Sequence, residues 1–386
     1  MHASEVFALL RDGHPRTRAE LAASTGVARS TVAARIDQLM RLGLVAPSGG
    51  TSTGGRPPSL FAMNPEARLV TGVDVGATHV ALVLADLSGR VHAESATALD
   101  VAEGPEAVLS WVTTTVTRCL GELGRQRGDL AAVGMGLPGP VEHATGRPIN
   151  PPIMPGWDRY DVPRRVQKDL DVPVLVDNDV NIMALGEQSA FPATRDLVFV
   201  KVATGIGAGI ISGGKLQRGA QGTAGDVGHV RVARAGDVTC RCGNTGCLEA
   251  VASGPALART LREAGLPAET GEDVVDLTRA GDLTALRVVR QAGRDLGEVL
   301  ATLVNLINPA VVVIGGRLAG AGEHLLAGIR EVVYQRSLPL ATEHLRLRAS
   351  SVGDQAAVKG AVALAIGHAL SPEQIELDVQ RLDASS

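Results

Sequence analysis

Four side chains close together in the chain have the chemistry to bind a soft metal. His229 is followed by Cys240, Cys242 and Cys247, the thiols lying in Cys-Arg-Cys-Gly-Asn-Thr-Gly-Cys. One imidazole and three thiolates fill a tetrahedral shell, and a shell without an open position marks a structural Zn²⁺ site and not a catalytic one. The glycines let so short a loop fold around an ion. The alternative is three reduced cysteines falling together by coincidence. Cys119, the remaining cysteine, lies in an apolar helical stretch and reads as core.

Carboxylates stand near this knot and elsewhere. Glu249 follows the last thiol by two residues, so a bound metal would fix its position. Asp177-Asn178-Asp179-Val180-Asn181 follows the apolar run Val174 to Val176 and opens a helix through Gln188. An Asp at a helix start is ordinarily a cap. An Asn-Asp pair at the carboxyl end of a strand is also where α/β proteins place ligands. There Asp179 can take a proton from a hydroxyl, or hold that hydroxyl by a charge-assisted hydrogen bond.

Three glycine-bearing turns complete the chemistry: Asp74-Val75-Gly76-Ala77-Thr78, Thr204-Gly205-Ile206-Gly207, and Gly315-Gly316 after Val311 to Ile314. Backbone N–H groups and a threonine hydroxyl in such turns can face phosphate. Each turn alone is equally explained as a structural hairpin or strand end; the three together suggest a nucleotide cleft between two lobes.

The elements that must hold these groups are mostly strands. Leu69 to Gly76, His79 to Asp86 and Arg90 to Ala98 read as three consecutive strands, and a long apolar helix spans about Thr284 to Ile307, with core favoured over interface as its role. The chain has 386 residues, 45% of them hydrophobic and only 2% aromatic, so cores must be aliphatic. So few aromatics argue against single-strand nucleic-acid binding by base stacking. Four cysteines in this length exclude a disulfide scaffold. No signal-peptide pattern and no 18-residue apolar run is present, which predicts a cytoplasmic protein without a membrane partner.

The first 66 residues have a different pattern. Ser4 to Arg11 forms a short helix; Thr17 and Glu20 form a capping box for a second. Ser24-Thr25-Gly26-Val27 turns the chain into a third helix, about Ala28 to Leu42, with Val32, Ile36 and Leu39 inward. Its exposed start carries Arg29, Ser30, Thr31 and, a turn later, Arg35, the side chains that would enter a major groove. A Gly/Ser/Thr stretch and Arg56 lie between two strand-like runs, a wing whose Arg56 can reach phosphate or a minor groove. Seven Arg stand against five acidic side chains here, whereas the whole chain is at −4. A helical protein–protein module is the alternative reading.

Gly225-Asp226-Val227-Gly228-His229, the cysteine loop and Leu248-Glu249 together resemble the signature of the ROK family (repressors, open reading frames and sugar kinases), and the resemblance runs from about residue 1 to 370. It implies a two-lobed, actin-like and hexokinase-like α/β fold. It implies that Gly139, Asn178, Asp179, Asp226, His229 and Glu249 meet a sugar, with Asp179 at the general-base position of the kinases. It further implies that Asp74, Gly76, Thr78, Thr204, Gly205, Gly207, Gly315 and Gly316 match nucleotide motifs, which in kinase members serve ATP with Mg²⁺. Several positions depart from the pattern: Asp226 replaces Glu, Ala77 and His79 replace Gly and Lys, Ala203 replaces Gly, and Ile153 stands where a sugar-contacting Asn is frequent.

The expectation is therefore a winged helix-turn-helix over 1–66, a sugar-kinase-like domain over 69–372 and a polar, peripheral tail over 373–386. The expected function is sugar-responsive transcriptional regulation by a homodimer or homotetramer, with an operator duplex and a sugar or sugar phosphate as partners. The alternative is an active ATP-dependent sugar kinase that also binds DNA.

Overall fold

The computed structural model describes residues 2–49 and 59–384. Its first unit is three helices, Ala3–Leu10, Arg18–Thr25 and Arg29–Arg41, against a small antiparallel sheet. Thr17 and Glu20 form the expected reciprocal cap, the Glu20 N–H donating to Thr17 Oγ1 at 3.1 Å and the Thr17 N–H to Glu20 Oε2 at 2.7 Å. Gly26 then ends the second helix in the left-handed region at φ 69°, which favours glycine. Val45–Ser48 and Leu60–Met63 pair antiparallel as the sides of a wing, and Arg16–Thr17 adds a third strand. Arg56 lies outside the described residues.

The rest of the chain repeats one strand plan twice. In the first sheet Leu69–Val75, His79–Asp86 and Val91–Ala98 run antiparallel in sequence; Leu130–Leu137 and Val174–Asn178 then add in parallel on the other side. In the second sheet Leu197–Val202, Ile206–Ser212 and Lys215–Gln217 are the antiparallel set, and Val311–Gly315 and Arg346–Ala349 add in parallel. Two such sheets make the two-lobed actin-like and hexokinase-like architecture. Burial follows position in the sheet: Leu69–Val75 lies mid-sheet and is almost continuously buried, whereas the edge strand Val91–Ala98 alternates with exposed positions. The long helix is Leu283–Ile307, and its Val289, Leu296 and Leu300 lie in the second lobe's core.

One helix belongs to both lobes. Asp179–Ala190, hereafter the cleft helix, leaves the first sheet's edge strand and packs against the second sheet. It also lies against Ala356–Ala369, the bridging helix, which covers the first sheet. The two helices approach at glycines: a Cβ on Gly360 would fall 1.7 Å from the Ile182 carbonyl oxygen, and one on Gly186 would fall 1.9 Å from that of Ala356.

The end of the chain corrects the expectation of a peripheral tail. Pro372–Ala384 is a helix, the terminal helix, with Ile375 and Val379 buried. Its polar residues grip the first unit. The Ser4 N–H donates to Glu376 at 2.8 Å, Arg41 and Gln38 donate to Asp383 at 3.1 and 3.0 Å, and Arg68 donates to Asp378 at 2.7 Å. A single apolar cluster runs from Phe7 and Leu39 through Ile375 to Val70 and Val362, joining head to first lobe. The polar composition misled because the helix uses one side for charge pairing and the other for core.

Candidate ligand cleft and metal centre

His229 ends a short turn, Val227–His229, and the cysteine loop folds back beside it. The Cys240 N–H donates to the Asn244 carbonyl at 2.8 Å, closing the loop, and the Leu248 N–H donates to the Val230 carbonyl at 2.9 Å, tying it to the His229 segment. One ligand atom from each of His229, Cys240, Cys242 and Cys247 lies within 4.8 Å of all the others. His229 Nδ1 is 3.6 Å from Cys240 Sγ, and Cys242 Sγ is 3.7 Å from Cys247 Sγ. Tetrahedral Zn–S bonds of about 2.3 Å place sulfurs about 3.8 Å apart, so the cluster has the size of a metal shell. Burial and the neighbouring sulfurs push the Cys247 thiol up, so holding the thiolates together calls for a cation. Arg234 clamps the knot to the long helix through paired bonds of 2.9 and 2.8 Å to the buried Asp295.

Beyond the last thiol, Glu249 opens the short helix Glu249–Ala252 and turns toward the second lobe's glycine turn. Its Oε2 accepts from the Ile206 N–H at 3.0 Å. Thr204, Cys240, Glu249 and Ser253 line one small cavity, so the knot and this turn share a wall. On the other side of the knot, His229 Nε2 lies 3.9 Å from Asp226, whose carboxylate is half exposed.

The Asp177-Asn178-Asp179 run closes the cleft between the lobes. Asn178 donates to the Gly139 carbonyl at 2.5 Å and accepts from the Val180 N–H at 3.0 Å, so it both caps the cleft helix and holds Gly139 in place. Asp177, 2% exposed, accepts from Asn181 at 2.8 Å and from Arg218 Nε of the second lobe at 2.6 Å. Burial and the Arg218 charge hold nearby His143 below its ordinary value. Asp179 Oδ2 accepts from the ammonium of Lys201, on strand Leu197–Val202 of the second lobe. Burial pulls that ammonium down, but Asp179 and then Asp74 outweigh it and keep Lys201 above the ordinary lysine value.

The family model described as the ROK family matches residues 70–368. The chain belongs to the ROK family. The xylose repressor of Caldicellulosiruptor bescii is 29% identical over 382 residues, covering 95% of each chain. The glucokinase of Halalkalibacterium halodurans is 31% identical over 309 residues, which is 76% of this chain and 93% of that enzyme. A solved ROK family transcriptional regulator, a homologue of the E. coli MLC protein, superposes with a TM-score of 0.84 at 25% identity over 98% of both chains. This ROK chain thus matches regulators along its whole length, and the glucokinase over only part of it.

Within the ROK fold Asp74, the Thr204–Gly207 turn and Gly315-Gly316 lie at or just beyond the ends of the strands Leu69–Val75, Leu197–Val202 and Val311–Gly315. The His79 imidazole is raised by its bond to Asp74, against burial and the charges of Lys201 and Arg317. The residues there do not fit a divalent cation between the two carboxylates. Asp74 Oδ2 is 3.3 Å from His79 Nε2, and Asp179 Oδ2 is held by Lys201. The Gly76 N–H, which a phosphate would need, already donates to the His79 carbonyl at 2.9 Å. The imidazole covers that glycine, for a Cβ on Gly76 would lie 2.1 Å from His79 Cε1.

On the head, Arg29 and Ser30 are exposed at the start of the third helix, and Thr31 and Arg35 are partly exposed. Arg35 donates to Gln38 at 2.8 Å. Ala28 precedes this helix and supplies no side-chain cap, which leaves first-turn N–H groups for an outside acceptor.

Sequence reasoning quoted Asp177 without giving it a role, and missed Lys201 and Arg218. A signal for Lys201 existed: Leu-Val-Phe-Val-Lys-Val puts one cation inside a buried strand, where lysine is rare unless paired. Nothing local announced Arg218, whose partner is 41 residues away.

Proposed function

We propose that this chain is a sugar-responsive, DNA-binding transcription regulator, a repressor of carbohydrate-metabolism genes. The carrying observation is the head itself: a winged helix-turn-helix whose core runs unbroken into the first lobe. The match to a xylose repressor over 95% of both chains supports the same reading. Arg29, Ser30, Thr31 and Arg35, with Arg56 from the wing, would contact an operator duplex. The uncapped helix start would receive a phosphate. Two half-sites call for a homodimer or homotetramer. Among the described residues no helix is long and apolar enough to cross a membrane, and we place the regulator in the cytoplasm.

The knot of His229, Cys240, Cys242 and Cys247 would hold Zn²⁺ as a structural ion. Gly139, Asn178, Asp179, Asp226, His229 and Glu249 would surround a sugar or sugar phosphate. Asn178 would act mainly by holding Gly139, since both ends of its amide are already bonded. Ligand would shift the balance between lobe arrangements only by its different affinity for them.

The test is binding of the purified protein to its own promoter, with and without xylose, glucose and N-acetylglucosamine. Saturable, sequence-specific binding that one sugar changes at least fivefold is expected. Absence of specific binding in every condition rejects the reading. A second reading, ATP-dependent sugar phosphorylation with Asp179 as base, draws on the similarity to a glucokinase. It predicts sugar-dependent ADP release that Asp179→Ala abolishes; equal rates from the two proteins reject it.

A further inference from the structure

We propose that Lys201 is a built-in cation that takes the place of a divalent metal between Asp74 and Asp179, making the cleft a receptor that binds its ligand without phosphoryl transfer. The inference concerns the same cleft as the proposed sugar site and rests on that reading of it.

Lys201, its side chain 26% exposed, has apolar neighbours on both sides in sequence, and the other five residues of the strand Leu197–Val202 are fully buried. Such a charge persists only with a counter-charge beside it. Lys201 finds two. Its ammonium donates to Asp179 across the lobe boundary and is drawn also to Asp74. One strand of the second lobe therefore supplies the positive charge that pairs with Asp179 of the cleft helix.

A divalent cation needs the outward oxygens of such carboxylates and dislikes a neighbouring ammonium. Both conditions fail here. Asp179 Oδ2 is engaged by Lys201, and Asp74 Oδ2 faces His79 at 3.3 Å. His79 also folds over Gly76 and uses its own carbonyl to occupy the Gly76 N–H. Two side chains of the protein thus close the nucleotide end independently, one at the metal position and one at the phosphate turn.

The same charges speak for the ligand class. In the proposed sugar site Asp179, Asp226 and Glu249 would surround the ligand, and the Lys201 charge is already paired with Asp179. An anionic ligand would meet a surplus of negative charge. A neutral polyol, with hydroxyls that donate to carboxylates, fits better. A hydroxyl would be offered Asp179 Oδ1 while Oδ2 stays on Lys201.

Mn²⁺ is the probe, read by electron paramagnetic resonance on the full-length, zinc-replete protein. Wild type is expected to bind no Mn²⁺ in the cleft, and Lys201→Thr to gain one site that Lys201→Thr/Asp179→Asn loses. A neutral-sugar thermal shift on Lys201→Thr shows that the cleft is intact, and circular dichroism shows that Lys201→Thr/Asp179→Asn, which alters the proposed sugar site itself, is folded. Lys201→Met serves as the second variant should threonine disturb the strand. Mn²⁺ binding by wild type that Asp179→Asn abolishes overturns the proposal. So does a folded, sugar-binding Lys201→Thr or Lys201→Met protein that gains no Mn²⁺ site. Failure of operator binding would instead count against the regulator reading and would leave the Mn²⁺ result standing.

Discussion

At the scale of single residues the chemistry was unevenly legible. That His229, Cys240, Cys242 and Cys247 come together could be read from spacing alone, because a His/Cys₃ set has few uses and its members lie within 19 residues of one another. Its dependence on the ion gives a direct prediction. Cys242→Ser should lose bound zinc by elemental analysis and weaken sugar affinity by roughly 10–100-fold, because Glu249 is positioned by the loop that the metal closes. Unchanged sugar affinity in a verified metal-free protein would break that link. His79 gives a second prediction. The bond to Asp74 raises it, against burial and the charges of Lys201 and Arg317. A raised histidine contributes pairing fully below the unfolded value near 6.5, and that contribution disappears as pH rises through the higher folded value. Proton NMR should find the His79 midpoint above 6.5 in wild type and below it in Asp74→Asn. What spacing could not show was Asp177, Lys201 and Arg218, whose partners come from the opposite lobe and depend on how the two sheets face each other.

At the scale of elements, strands and helices followed from periodicity, and their ends moved by only a residue or two. The third head helix is Arg29–Arg41 against an expected 28–42, and the cleft helix ends at Ala190 against an expected 188. Periodicity did not reveal that the cleft helix and the bridging helix touch backbone to backbone. Their glycines look like weak spots in helices until the partner is in place. The contact predicts a contrast within one helix. Gly360→Val puts a branched side chain where a single Cβ already meets the Ile182 carbonyl at 1.7 Å. It should cost at least the 1–3 kcal/mol or so typical of overpacking. Gly367 has nothing within 4 Å of its Cβ position, so Gly367→Ala should stabilise by about 0.4–1 kcal/mol. Urea denaturation followed by circular dichroism measures both; a Gly360→Val protein as stable as wild type would show that the two helices do not meet as described.

At the scale of the whole molecule, the proposed ligand position and the third head helix are joined by packed elements. Asp179 starts the cleft helix, the cleft helix lies on the bridging helix, and the bridging helix leads to the terminal helix through Leu370. The terminal helix then holds the head at Ser4 and, through Asp383, at Gln38 and Arg41 of the third head helix. A regulator needs such a connection only if the head is to respond to the cleft, and packed helices transmit a displacement because they do not deform continuously. Deleting residues 372–386 cuts the last link while leaving both sheets whole. It removes Ile375 and Val379 from the shared core, side chains worth about 1.5–3 kcal/mol each when fully buried, and leaves Arg68 without Asp378. The truncated protein should still show the sugar-induced thermal shift of its body. Its head should melt earlier as a separate transition in calorimetry. Residual operator binding should no longer change with sugar, because a head held only by the chain after Met63 has no preferred seat. Single-transition melting together with wild-type sugar control of DNA binding would mean that the signal passes instead through the strand Leu69–Val75, directly from the first sheet to the wing.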